Sequence, residues 1–238
     1  MLKESLSSFL RGCRTWRLWT LLGWLDIQQR YARSSLGPFW ITLSMGVMVG
    51  AMGLVYGTLF GQDMKSYLPL IGSGFVLWAL ISGILNESCF AFINNANFIR
   101  QSDVSLWVYI FQVLWRQMII LAHNVVVIVV LRIVFNVKGY DHLLLFIPGL
   151  LVLLLNLTWM SYMAAIWSAR YRDVPQLIAS CLQILFYITP LMWWPHMLKK
   201  HQWIITINPF SSLVDLVRAP VLGAYRSQLA GVLPLFLL

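Results

Sequence analysis

Charge is what this chain has least of. Only 11% of its 238 residues are Asp, Glu, Lys or Arg, against about 25% in soluble domains. A soluble globular domain with a solvated surface is therefore excluded. Cysteine is scarce too. Cys13, Cys89 and Cys181 stand far apart with no CxxC spacing, so neither a zinc site nor a disulfide framework is expected. They read as small apolar residues. No GxxxxGK[ST] phosphate loop occurs, so if nucleotide drives any process here, another chain must bind it. HExxH, GxSxG and paired acidic motifs are missing as well, which argues against a membrane protease or glycosyltransferase. His123 and His142 are isolated and read as packed residues. No catalytic residue, metal or cofactor is expected.

What is present is apolar. Hydrophobic residues make up 60% of the chain, and the mean hydropathy is +0.76. The expectation is an all-α membrane protein that crosses the bilayer several times. The net charge of +9 is spread over loops between apolar runs, which favours anionic lipid headgroups over nucleic acid as partner. No signal peptide is expected, because the short apolar run 18–25 ends at Asp26 without a small-residue cleavage site.

The chain is organised around QQRYARSSLGPFW, Gln28 to Trp40. Arg30 and Arg33 mark the cytoplasmic face by the positive-inside tendency. Gly37-Pro38 is a hinge, with proline suited to a helix start. Before it, residues 1–33 read as a cytoplasmic interfacial segment. Residues 3–17 form an amphipathic helix with Leu6, Phe9, Leu10, Cys13 and Trp16 on one face. Lys3, Arg11 and Arg14 occupy the other face, with Arg17 at its edge. Trp19, Leu22 and Trp24 extend the apolar surface, as interface helices do. Packing on a soluble partner is the alternative.

Expected spans are 39–60, 67–93, 106–135, 142–169 and 174–194, since a crossing helix needs about 20 residues. In the first, Gly46-x-x-x-Gly50 and Gly53-x-x-x-Gly57 permit close helix approach. The second carries Glu87 and the third Arg116, each a charge inside an apolar run. Such charges seek a partner or water. The two lie at comparable depth and form a candidate intramembrane pair, with separate solvation the alternative. Arg132, near the outer end of its span, can snorkel.

Residues 195–226 hold two apolar stretches, 203–207 and 213–217, too short to cross and broken at Asn208-Pro209. Helices that dip in and return suit them. Residues 228–238 begin a sixth span and stop, which suggests truncation of a longer chain with a full sixth helix and a tail. Lys3, Arg11, Arg14, Arg17, Arg30, Arg33, Arg100, Arg170 and Arg172 fall inside. They outnumber Lys65, Lys138, Lys199, Lys200, Arg218 and Arg226 outside. The amino terminus is therefore expected in the cytoplasm.

QQRYARSSLGPFW before the first span, RYRDVPQ after the fourth and NPFSSLVDLVRAPVLG before the sixth together resemble a known family. It is that of the ABC-2 type permeases that export polysaccharides. Among these the chain is similar to the lipopolysaccharide O-antigen export permeases, over essentially its whole length. The family's last helix is incomplete here.

The resemblance implies a homodimer of permeases in the bacterial inner membrane, bound to two ATP-binding subunits. Its cargo would be a lipid-linked polysaccharide. Two inner loops would couple to the ATPases, one through Asn97, Arg100 and Asp103 and the other through Arg170, Arg172 and Asp173. Residues 196–226 would gate the outer mouth. The bare sequence reads both loops equally well as solvated connectors. Aromatic rings cover the C–H faces of sugars, so Tyr56, Trp78, Trp159 and Tyr187 are candidates for a channel lining; the alternative for most aromatics is a lipid-facing belt. A capsule or teichoic acid exporter, or an ABC-2 drug or lipid exporter, is the other reading. A stand-alone channel would have no use for charged inner loops.

Overall fold

A computed structural model describes residues 2–32, 34–137, 143–198 and 201–222. Arg33, Lys138, His142, Lys199, Lys200, Arg226 and the start of a sixth span at 228–238 lie outside the described residues. No strand occurs among the described residues. The helices are α1 (Leu2–Arg14), α2 (Trp16–Tyr31), α3 (Phe39–Leu59), α4 (Met64–Asn94), α5 (Ala96–Gln101), α6 (Trp107–Val134), α7 (Phe146–Arg170), α8 (Val174–Ile188), α9 (Trp203–Ile207) and α10 (Pro209–Val221). Single 3-10 turns at Leu143–Leu145 and Pro195–Met197 precede α7 and α9. Among the described residues, four helices are long and apolar enough to cross a membrane: α3, α4, α6 and Leu143–Arg170, which is α7 with its leading turn.

Two expectations change. The N-terminal segment is two helices rather than one covering 3–17. Thr15 leaves helical geometry at φ −88 and ψ 36, and its hydroxyl bonds back to the Gly12 and Arg11 carbonyls. Such back-bonding competes with helix propagation. α2 then continues to Tyr31. The expected fifth span, 174–194, is helical only to Ile188, a length of 15 residues. Pro190 explains the stop, because proline lacks an N–H and biases the residue before it away from helix.

The turn into α3 has the shape expected of Gly37-Pro38. Gly37 sits at φ +55, a left-handed conformation that glycine takes without Cβ strain. Its N–H donates to Ser34 Oγ at 3.1 Å. Asn208 caps α10, its Oδ1 accepting from Phe210 N–H at 3.0 Å, with Pro209 in the first turn.

The chain divides into two compact units. One comprises residues 1–38, 80–120 and 155–181. Its core is Ala91, Phe92, Tyr109, Ile110, Val113 and Ala165. Beside it the Trp107 and Tyr162 rings stack at 4.1 Å. The α1–α2 pair follows α6 step by step. Phe9 meets Trp107 at 5.0 Å, Trp19 meets Phe111 at 5.8 Å, and Gly23 lies so close that a Cβ there would stand 3.1 Å from Gln112 O. Meanwhile Leu6, Leu10, Trp16, Leu21 and Trp24 stay exposed. The expected apolar face is thus divided: Phe9 packs within the fold, and Leu6 and Leu10 do not.

The other unit comprises residues 39–79, 121–154 and 182–238, with Val49, Tyr67, Leu70, Ile71 and Phe75 at its core. Tyr67 Oη donates to Met192 O at 2.7 Å. The α3 glycines differ in role. Gly57 packs so close to Met64 that a Cβ would reach its Cε at 2.7 Å, and Gly53 is covered by Leu68, whereas Gly50 faces open space. Arg132 does not snorkel. Its side chain is buried and donates to Val221 O at the end of α10 and to Val137 O. Helix C-terminal carbonyls lack intrahelical donors and carry partial negative charge, which a guanidinium satisfies better than lipid does. Arg218 is buried likewise, donating to Pro190 O at 2.6 Å and pairing with Asp215.

Candidate functional site

The polar centre of the first unit is built on three helices. α4 supplies Glu87, α6 supplies Arg116 and Gln112, and α2 supplies Asp26 and Arg30. Arg116 Nε donates to Glu87 Oε2 at 2.9 Å, Nη2 lies 2.7 Å from the same oxygen, and Nη1 binds Asp26 Oδ2. Arg30 Nη2 reaches the other Glu87 oxygen at 3.0 Å. Gln112 Nε2 donates to Asp26 Oδ2 at 2.8 Å. Gln117 also hydrogen-bonds Glu87 and fills the space beside Gly83, where a Cβ would stand 2.6 Å from its Oε1.

Two carboxylates and two guanidiniums alternate, so the group carries no net charge. That matters because an uncompensated charge at membrane depth is expensive. Arg116 alone of the four faces both acids, and a planar guanidinium is suited to bridging because its donors form a fixed fork. Arg30 is partly buried, which by itself disfavours its charged form. The Glu87 carboxylate more than offsets this and holds the guanidinium above its ordinary pKa.

The candidate pair Glu87 and Arg116 is thus in direct contact. The sequence reading did not include Asp26 and Arg30 as their partners. A signal existed: Asp26 and Arg30 are four apart and share one face of a helix, and the second and third spans carry charges of opposite sign, Glu87 and Arg116.

This group borders a cavity of about 160 Å³, lined in part by Asp26, Glu87, Asn94, Asn95, Gln112 and Arg116.

The six proposed coupling residues lie in two segments of the same unit. Asn97 and Arg100 are on α5 and Asp103 just after it; Arg170 ends α7, and Arg172 and Asp173 lead into α8. All six are exposed. Each segment also exposes an aromatic ring, Phe98 and Tyr171, which attention to charge overlooks. Arg170 lies 5.6 Å from the Tyr171 ring centre and donates to its hydroxyl at 3.2 Å. The segments are therefore polar surfaces with an apolar knob, the composition from which protein interfaces draw their anchors.

The four channel candidates stand in different surroundings. Trp78 is buried at 7% exposure, between Phe186 at 5.9 Å and Phe210 at 6.1 Å. Its ring belongs to the interior of the fold. Tyr56 stacks on Phe60 at 5.9 Å. Trp159 and Tyr187 are exposed, at 52% and 66%.

Comparison with known proteins adds two findings. Residues 17–222 match the ABC-2 type transporter family. The chain is also similar to two Klebsiella pneumoniae proteins, each an O-antigen export system permease protein RfbA. The identity is 22% and 21% over 191 residues, covering 79% of this chain and 74% of each relative.

Proposed function

Because this chain belongs to the ABC-2 type transporter family, we propose that this multi-pass transporter permease exports a lipid-linked polysaccharide of the O-antigen type across the bacterial inner membrane. Its amino terminus faces the cytoplasm. Two copies enclose the path, and two separate ATP-binding subunits supply the energy. The observation that carries the cargo assignment is the similarity to O-antigen export permeases over four-fifths of the chain. The lack of a phosphate-binding loop in the sequence supports a separate subunit for nucleotide binding.

The reading has a physical logic. A long hydrophilic polymer does not fit one closed pocket, so its route is continuous. The four helices long and apolar enough to cross among the described residues make a thin wall for such a route, and a second copy closes it. α3 suits that contact, being the least buried of the four, with Gly50 open on its surface. Exposed rings such as Tyr187 and Trp159 offer sliding surfaces to sugars in turn, and half-buried Tyr56 is a further candidate. Trp78 serves the packing instead. α5 and the segment 170–175 present Arg100, Asp103, Arg172 and Asp173 to the ATPases.

The test is complementation. A strain lacking its O-antigen export permease but keeping the matching ATPase receives this chain in full length, or a variant with Arg100 and Arg172 both changed to Glu. Surface polysaccharide restored by the first and not by the inserted variant is the expected result. No restoration with any O-antigen ATPase overturns the cargo assignment.

A further inference from the structure

Resting on the transporter reading above, we propose that α1 positions the segment that meets the ATP-binding subunit. Through Ser8 and Gly12 it fixes the point at which residues 96–105 return to α6, and so the orientation in which Arg100 and Asp103 are presented.

α5 does not hold itself in place. It has six residues, and helices shorter than about 12 residues are marginal alone. None of its residues is buried, and Ile99 packs only partly against the core of its unit. Its start is tied to α4, where Asn95 Nδ2 donates to the Ala91 carbonyl at 2.8 Å. Its exit, residues 102–105, carries no helix.

Ser105 ends that exit and is bonded in two directions. Its carbonyl accepts from Val108 N–H at 3.0 Å, in the first turn of α6. Its hydroxyl donates to the Ser8 carbonyl at 2.8 Å. That proton being spent, the Ser8 hydroxyl is the donor to Ser105 Oγ at 3.1 Å. The two serines close a reciprocal pair 97 positions apart. Gly12, one turn further along the same face of α1, lies against Trp107. A Cβ there would stand 2.6 Å from Trp107 Cβ and 3.2 Å from Phe111 Cε2. Rotating the Trp107 side chain does not move its own Cβ, so only a shift of one helix relieves that contact. Phe9 adds ring contacts to Trp107 and Phe111 at 5.0 and 5.6 Å. α1 is thereby held in register with the start of α6, and Arg100 and Asp103 lie within five residues of the Ser105 tie. A segment already held in its bound geometry docks without the cost of ordering it.

The experiment uses the full-chain permease in nanodiscs and loosens the hold in two ways. Gly12→Ala adds one methyl and favours helix, yet α1 must back away by about 1 Å to regain ordinary carbon contact. Ser8→Ala combined with Ser105→Ala deletes the reciprocal pair and keeps the test decisive if Gly12→Ala misfolds. A nitroxide on Gln101→Cys, with the exposed Cys13 and Cys181 changed to Ser, reports on α5 without any partner. Its spectrum should sharpen in both variants. Affinity for the matching ATP-binding subunit should fall about fivefold in each, the worth of one neutral hydrogen bond. Combined with Arg100→Ala, Gly12→Ala should cost less than it does alone, because α1 acts through that segment. Unchanged spectra in both variants overturn the hold. Equal cost with and without Arg100 shows that α1 touches the partner directly and overturns the positioning role. Wild-type docking that neither variant weakens defeats this inference alone. Wild type that binds no ATP-binding subunit defeats the transporter reading and this inference with it.

Discussion

Replacing Arg116 with leucine removes the one side chain that touches both acids of the charge group. The Arg116 side chain is 14% exposed, with Asp26 at 30% and Glu87 at 23%. In its absence Asp26 keeps Gln112, and Glu87 keeps Arg30 and Gln117. Two half-buried carboxylates are left with only one cation between them. Breaking a buried pair by deleting one partner costs about 3–5 kcal/mol, and partial exposure of the acids puts this case at the lower end. Arg30 is 45% exposed, so water screens its loss, and Arg30→Leu should cost below about 1 kcal/mol. Arg116→Lys should fall between, because one ammonium does not reproduce the fork. Changing Asp26, Glu87 and Arg116 together to apolar residues of similar volume should recover much of the loss, since no orphaned charge remains. The assay is unfolding of the purified permease by SDS titration, followed by circular dichroism. An Arg116→Leu protein within about 1 kcal/mol of wild type, or an Arg30→Leu protein less stable than it, refutes the reasoning.

Other expectations follow from packing. Trp78→Ala should destabilise the permease by about 3–5 kcal/mol, the cost of emptying a core aromatic site, seen as a lower melting temperature. Tyr187→Ala should leave melting unchanged and slow polymer export, measured as surface polysaccharide per inserted permease. Gly53→Leu should lower the melting temperature because Leu68 already covers that glycine, while Gly50→Leu should leave the isolated permease unchanged. Arg132→Met strips the donor from the Val221 carbonyl and should cost about 1–3 kcal/mol, with faster amide exchange confined at first to α10.

Much of this was legible because long apolar runs have few alternatives. Residues 39–60 read as a span from length alone, and α3 occupies Phe39–Leu59. Asn208-Pro209 is a cap followed by a first-turn proline, a signal carried by two adjacent residues, and α10 starts there. What stayed hidden depended on contacts distant in sequence. The meeting of Glu87 and Arg116 was readable from their depth, but the bond from Arg116 to Asp26 joins residues 90 positions apart. Trp78 looked like a sugar platform by residue type; only the placement of Phe186 and Phe210 shows that it is covered. Arg132 looked like a snorkelling residue until the end of α10 came to lie beside it. Composition describes what a side chain can do, whereas burial and partners decide what it does.

The central claim is that this permease moves a polymer using another subunit's ATPase. The measurement that tests it most directly is ATP hydrolysis and polymer export in proteoliposomes, with the permease alone, the ATPase alone and the two together. The account predicts no hydrolysis by the permease alone, and export only by the complex. Cross-linking of the active complex should show two permease copies. ATP-dependent export by the permease without a partner, or an active complex with a single permease, would contradict it.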